Sequence, residues 1–393
     1  MLQYLPRDWR DAILLGRVLT AAGPTPILVR NGRVADISGL APTTADFAAL
    51  WPDVRSEAGT DLGDLETFTF VSAWSGNRAA FGPQLLSPLD LQCVKASGVT
   101  FAISAVERVI EERARGDADR AHSLRESLQS RVGADIRAVK PGSAQAARLK
   151  EALIADGLWS QYLEVAIGPD AEVFTKVPVL SSVGWGDWVG IRADSAWNNP
   201  EPEIVLLCDP RGRPVGAALG NDVNLRDIEG RSALLLGKSK DNNASCAVGP
   251  FVRLFDERFT LDDVRGCEVG LDVEGEDGFR LAGRSSMSLI SRDPLELIGQ
   301  TVGRNHQYPD GFALFLGTMF APVEDRDVPG RGFTHKSGDL VRVFSERLGT
   351  LENKVTTCEA APPWTFGLSA LMRNLAARGL LQPRRESSGK RVE

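Results

Sequence analysis

The apolar positions of this chain recur with two different periods, and the change between them divides it. From Ala102 to Gly116 the run AISAVERVIEERARG puts Ile103, Val106, Val109 and Ile110 on one helical stripe. Glu107, Glu111, Arg113 and Arg115 fall largely off that stripe, and Gly116 can stop the helix. Helical patterns continue over Ala118–Arg131 and Ala144–Asp156. Between Glu203 and Val355 the pattern shortens to EIVLLCD, PVGAALG, CEVGLDV, FALFLG, DLVRVF and NKVTT, apolar runs punctuated by Gly, Pro and Asp. Those predict a largely β body.

The ends are different again. Thr25–Arg30, then Asn31-Gly32, then Arg33–Ile37 predicts a hairpin, because Asn-Gly supplies the two left-handed residues of a tight turn. The glycine and prolines of Phe81–Pro88 suggest a linker, so residues 1–85 are expected to form a small β-rich N-terminal domain and 86–380 the main domain. Thr365–Gly379 carries Leu368, Leu371 and Leu375 on one face of a last helix; residues 381–393 are a polar, basic tail expected to fray.

Composition narrows the function. With 393 residues, 43% of them hydrophobic, the chain can bury a real core. A net charge of −7 argues against a nucleic-acid partner, which normally leaves a basic footprint. Charges at Arg7, Asp8, Arg10 and Asp11 break up the N-terminal stretch, and no run approaches a membrane span, so a cytoplasmic protein without membrane contact is expected. The five cysteines are widely spaced among apolar neighbours and read as buried thiols.

Chemistry concentrates in NNPEPEIVLL and GAALGNDVNLRD. Glu201 and Glu203 are two apart on an extended segment, so their side chains point to one side and can reach one cation. Asp222 starts the turn after the next predicted strand, where a hairpin return would bring it beside them. Three carboxylates make a hard oxygen site of the kind magnesium or manganese prefers. On spacing alone, a solvated strand edge is the simpler account of such a pair.

The ordered set PEPE, GNDVNLRD, SKDNNASCAVGP, FLGT and GTLENKV resembles the core pattern of the fumarylacetoacetate hydrolase superfamily over about residues 88–360. That resemblance implies an α+β, mostly β fold with a mixed β-roll catalytic domain and flanking helices, assembled as a homodimer or homotetramer. It also implies Mg²⁺, with Mn²⁺ as a substitute, held by Glu201, Glu203 and Asp222. Lys240 would be catalytic beside the metal, and Thr318 would contact a substrate carboxylate. Arg226 and Asp227 are expected to be structural supports.

One departure is informative. Hydrolytic members carry a histidine where this chain has Ser104, in GVTFAISAVE; a serine without its own base cannot replace imidazole near neutrality. This, with the DGLWSQYLEVAIGPDAEVFTKVPVLSS and WNNPEPEIVLLCD blocks, resembles the branch that dehydrates 2-keto-3-deoxy-D-pentonates to 2,5-dioxopentanoate. On that resemblance the small-molecule substrate is a 2-keto acid. Its C3 proton is removed to give an enolate and its C4 hydroxyl leaves as water. Glu107 and Lys240 are the expected proton-transfer residues; Ser104, Arg113, Lys176 and His306 are expected to contact substrate. A Schiff base on Lys240 is an alternative route. Two other functions stay open: hydrolysis of an acylpyruvate or 2,4-diketo-3-deoxy sugar acid, and a non-catalytic sugar-acid binding module.

Overall fold

The computed structural model describes residues 2–54, 59–75, 83–124, 136–137 and 139–381. Its strands are β1 (Leu14–Thr20), β2 (Gly23–Arg30), β3 (Arg33–Asp36), β4 (Thr60–Asp64), β5 (Gln84–Leu86), β6 (Cys93–Ser97), β7 (Val173–Val177), β8 (Trp188–Ile191) and β9 (Asn198–Asn199). They continue as β10 (Pro202–Cys208), β11 (Pro214–Asp222), β12 (Asn224–Leu225), β13 (Cys246–Leu254), β14 (Glu268–Glu274), β15 (Arg280–Ser286), β16 (Phe312–Phe315), β17 (Leu340–Ser345) and β18 (Gly349–Thr357). Eleven form one sheet in the order β4-β3-β2-β1-β13-β11-β10-β16-β6-β7, with β5 beside β1; five form a second, in the order β15-β14-β17-β18-β8.

Strand β10 shows why the body reads as unbroken apolar runs. Ile204 and Leu206 pack into the core shared with the second sheet, while Val205 and Leu207 pack on the opposite face against Phe47 and Trp51 around helix α1 (Thr44–Leu50). A strand covered on both faces has no polar side to alternate with.

The expected hairpin is present: Arg30 pairs with Arg33 across Asn31 (φ 49°) and Gly32 (φ 74°). The boundary expected near residue 85 does not interrupt the sheet. Residues 84–86 of the supposed linker are strand β5, paired with β1, and β1 itself pairs with β13 of the body. β13 lay hidden in the sequence because its apolar run is broken by Gly249-Pro250, which here is a cis peptide inside the strand. The last helix begins at Leu368, and residues 382–393, the expected frayed tail, lie outside the described residues. Helix 118–124 is the described part of the second predicted helix, followed by Ala144–Ala155. No helix among the described residues is long and apolar enough to cross a membrane.

Helix α2 (Ala102–Ala114) departs from the amphipathic reading. Ala105, Val106, Val109 and Ile110 are buried, but Ile103 is 54% exposed and the charged Glu107, Arg108 and Glu111 are buried. The polar face meets other charges instead of water.

Candidate metal centre and its ionic surroundings

Three carboxylates meet where β10 begins and β11 ends. Asp222 donates its backbone N–H to the carbonyl of Glu201 (3.0 Å), and Glu203 stands opposite Gly220 on the paired strand. Alternation then sends the Glu203 and Asp222 side chains to one face. Ligand atoms of Glu201, Glu203 and Asp222 lie within 4.8 Å of one another, all three residues buried.

Each carboxylate has its own support. Oε2 of Glu203 accepts the Gly317 N–H (2.7 Å) and Oε1 accepts the Thr318 hydroxyl (3.2 Å). Gly317 is obligatory there: its φ is +105°, and an added Cβ would stand 1.9 Å from Oγ1 of Thr100. Asp222 Oδ1 lies 2.7 Å from Nζ of Lys176. Lys176 falls at the irregularity of the β6–β7 pairing, between paired Thr175 and Val177, and such a bulge re-aims a side chain. The same ammonium donates to the carbonyl of Lys240 (2.5 Å), tying the lysine's backbone to the site.

Lys240 ends the short helix Leu236–Lys240. Its Nζ donates to Oε2 of Glu201 (2.6 Å) and Oδ2 of Asp222 (3.2 Å). Burial acts to discharge it, but Asp222 and Glu201 outweigh that and hold it protonated above the usual lysine range. Asp222 is the mirror case: burial opposes its charge, and Lys176 and Lys240 more than offset this, keeping it below the usual carboxylate range. Among the described residues Glu203 forms no ion pair, and burial together with Asp222 and Glu201 raises it well above that range against the pull of Lys240.

The network extends into α2. Nη2 of Arg108 pairs with Oε1 of Glu201 (2.5 Å), and Nη1 with Glu111 (2.5 Å) and Glu229 (2.9 Å). Arg226 pairs with Glu107 (2.9 Å) and Glu111 (2.6 Å) and lies over the Trp197 ring. The buried carboxylates of Glu107, Glu111, Glu201, Glu203, Asp222 and Glu229 thus outnumber the cations Arg108, Lys176, Arg226 and Lys240 by six to four. A buried cluster with more carboxyl groups than cations, its oxygen donors converging, suits a divalent cation, which would take the place of the proton that burial otherwise favours on Glu203. The residues present fit one.

The expected site residues are not all here. Thr318 and Lys176 are, but both are turned onto the carboxylates. Ser104 is buried and donates to the carbonyl of Phe101 (2.8 Å). Arg113 bonds the carbonyl of Gly157 (2.8 Å) at the far end of α2. His306 is exposed, edge-on to Tyr308, at the end of the sheet where Cys208 pairs with Phe312. Cys208 stands five steps along the strand from Glu203, roughly 17 Å at the usual rise.

One further carboxyl was not singled out. Glu172, just before β7, is half-buried, and burial raises its pKa while the charges of Arg108 and Lys240 pull it back down. It packs over Gly98, where an added Cβ would sit 1.8 Å from its Oε2. Nothing in the spacing of DAEVFTK distinguishes it from a surface glutamate.

No protein-family model matches the chain. It is 30% identical over 214 residues, 54% of this chain and 68% of the relative, to a probable 2-keto-3-deoxyxylonate dehydratase of Haloferax volcanii. It is 31% identical over 180 residues, 46% of this chain and 57% of the relative, to a 2-dehydro-3-deoxy-D-arabinonate dehydratase of Saccharolobus solfataricus. The fold is similar to that of a 2-keto-3-deoxy-D-arabinonate dehydratase in its apo form (TM-score 0.60, 22% identity, 88% of this chain and 99% of that one). It is also similar to fumarylacetoacetate hydrolase of Exiguobacterium antarcticum (TM-score 0.54, 16% identity, 88% and 100%). The chain belongs to the fumarylacetoacetate hydrolase superfamily. Both curated relatives of this superfamily member are dehydratases, and the chain is an enzyme of that hydro-lyase class. The mixed β-roll expected from the sequence resemblance is the fold observed.

Proposed function

We propose that this enzyme dehydrates a 2-keto-3-deoxypentonate, of the D-xylonate or D-arabinonate series, to 2,5-dioxopentanoate. The observation that carries this is the buried Glu201–Glu203–Asp222 cluster with Lys240 across it, in a chain whose relatives carry dehydratase names. A structural neighbour at 21% identity (TM-score 0.58, 88% of this chain and 99% of that one) is complexed with magnesium and 2,5-dioxopentanoate. In this reading Glu201, Glu203 and Asp222 hold Mg²⁺ or Mn²⁺. Such an ion supplies a Lewis acid that polarises a 2-keto group and so acidifies the hydrogens at C3.

The protein's own groups handle the protons. Lys240, held charged, is no nucleophile, which disfavours a Schiff base and leaves it as a fixed positive charge for the electrons that gather on the keto oxygen. Glu172, half-buried and with a raised pKa, can take the C3 proton and return it to the departing C4 hydroxyl, which leaves as water. Glu107 is given a different role from the one its sequence suggested. Its Oε2 is engaged by Arg226, so it braces α2 against the strands. The same reading carries a cytoplasmic location and a homodimeric or homotetrameric assembly.

The test is a panel of 2-keto-3-deoxypentonates and acylpyruvates assayed with and without chelator. Semialdehyde formed from a pentonate derivative only when metal is present is the expected result. Comparable cleavage of an acylpyruvate would move the enzyme to the hydrolases.

A further inference from the structure

Oε1 and Oε2 of Glu201 are held by different cations from different elements: Arg108 of α2 on one side, Lys240 on the other. A carboxylate has about four lone-pair sites, so these two bonds leave each oxygen able to accept once more. What they remove is the freedom of the carboxylate plane to rotate. Arg108 is itself fixed, because its Nη1 is shared between Glu111 on its own helix and Glu229 on the helix Arg226–Glu229. Glu111 is in turn held by Arg226. The guanidinium is buried among three carboxylates.

We infer that Arg108 is a positioning residue for the metal centre: its planar fork locks the orientation in which Glu201 presents oxygen to the cation, and so sets metal affinity through geometry, against its own charge. The inference rests on the reading of Glu201, Glu203 and Asp222 as metal ligands. A guanidinium this close to the ligands repels a dication, so on charge alone its loss should tighten binding. Outer-shell partners that orient a ligand have the opposite effect when removed, typically weakening metal affinity by roughly 10-fold to 100-fold. Lysine preserves the charge but offers a compact point charge without the planar fork that hydrogen-bonds Glu111 and Glu201 through separate nitrogens. The two accounts therefore differ in sign for Arg108→Met and in presence of any effect for Arg108→Lys.

The experiment is Mn²⁺ titration of the full-length protein, free ion followed by its electron paramagnetic resonance signal, with melting curves run alongside. The wild type must bind Mn²⁺, and Glu203→Gln must abolish that binding; failure here sinks the metal-site reading itself. Given both, Arg108→Met is expected to bind Mn²⁺ about 10-fold more weakly per folded molecule despite the added negative charge. Equal or tighter binding overturns the inference. Should that variant not fold, Arg108→Lys decides: weaker binding supports the positioning role, and wild-type affinity overturns it.

Discussion

Lys240 and Glu201, 39 residues apart in sequence, meet at 2.6 Å inside the protein, and the same ammonium reaches Asp222 at 3.2 Å. One cation thus spans two of the three carboxylates that define the centre. Replacing it by methionine removes a charge of fixed position without opening a cavity. Lys240→Met should lower kcat by about 10²–10⁴, in the range of lost charge or proton-transfer catalysis, while Mn²⁺ binding is retained because all three carboxylates are still present. Steady-state kinetics beside a metal titration checks this; near-normal kcat would remove Lys240 from the chemistry.

Burial of Glu203 beside two anionic neighbours favours its neutral form when only protein groups surround it. Glutamine copies that neutral shape. Glu203→Gln should therefore melt close to the wild type in chelator, yet lose the upward shift that Mg²⁺ gives the wild type. A site filled to 100 times its dissociation constant is worth about 2.7 kcal/mol, enough to see in a melting curve. A variant still stabilised by Mg²⁺ to the full extent would show that Glu203 is not a ligand.

Glu172 is assigned the C3 proton, and its raised pKa fixes the direction of the pH effect. A base works when deprotonated, so kcat/KM should fall as pH drops through the raised value, on a limb lying above the ordinary glutamate pKa of about 4.3. Glu172→Gln should abolish turnover and also stop exchange of the methyl hydrogens of bound pyruvate with D₂O. Exchange at the wild-type rate in this variant would leave the base to be found elsewhere.

Burial raises Glu229 to about 7, the pull of Arg108 and Lys240 notwithstanding. A folded-state pKa above the unfolded value means that the native state binds the proton more tightly. This contribution to stability is full below about 4.3, the unfolded value, and is lost as pH rises to about 7. Glu229→Gln removes the titration, so the stability difference between variant and wild type in chelator should move in the variant's favour across that window. Denaturant melts at several pH values give the slope; a flat difference from pH 4 to pH 7 would be inconsistent with a raised Glu229.

The local devices of this protein could be read from its sequence because they depend on near neighbours. The Asn31-Gly32 hairpin needs only two left-handed residues, the β10 and β11 strands need only their apolar runs, and the pairing of Glu201 with Glu203 needs only the two-residue period of a strand. Asp222 followed from a single hairpin return. The order of the motifs added Lys240 and Thr318.

What the sequence left open depended on which charges would meet. Glu107, Arg108 and Glu111 have the composition of a solvated helix face, and no local rule says that Arg226, Glu229 and Glu201, about 90 to 120 residues further on, will cover them. Burial reverses the meaning of such residues, because a charge taken from water must find partners or shift its pKa. Glu172 became distinguishable from a surface glutamate only when Gly98 and the β6–β7 pairing held it beside the site, and His306 was removed from it by the length of β10. The sequence by itself determined most of the elements and the triad of carboxylates proposed as ligands; the tertiary structure decided which charged groups serve that triad, since side chains far apart in the chain come under one another's field only after folding.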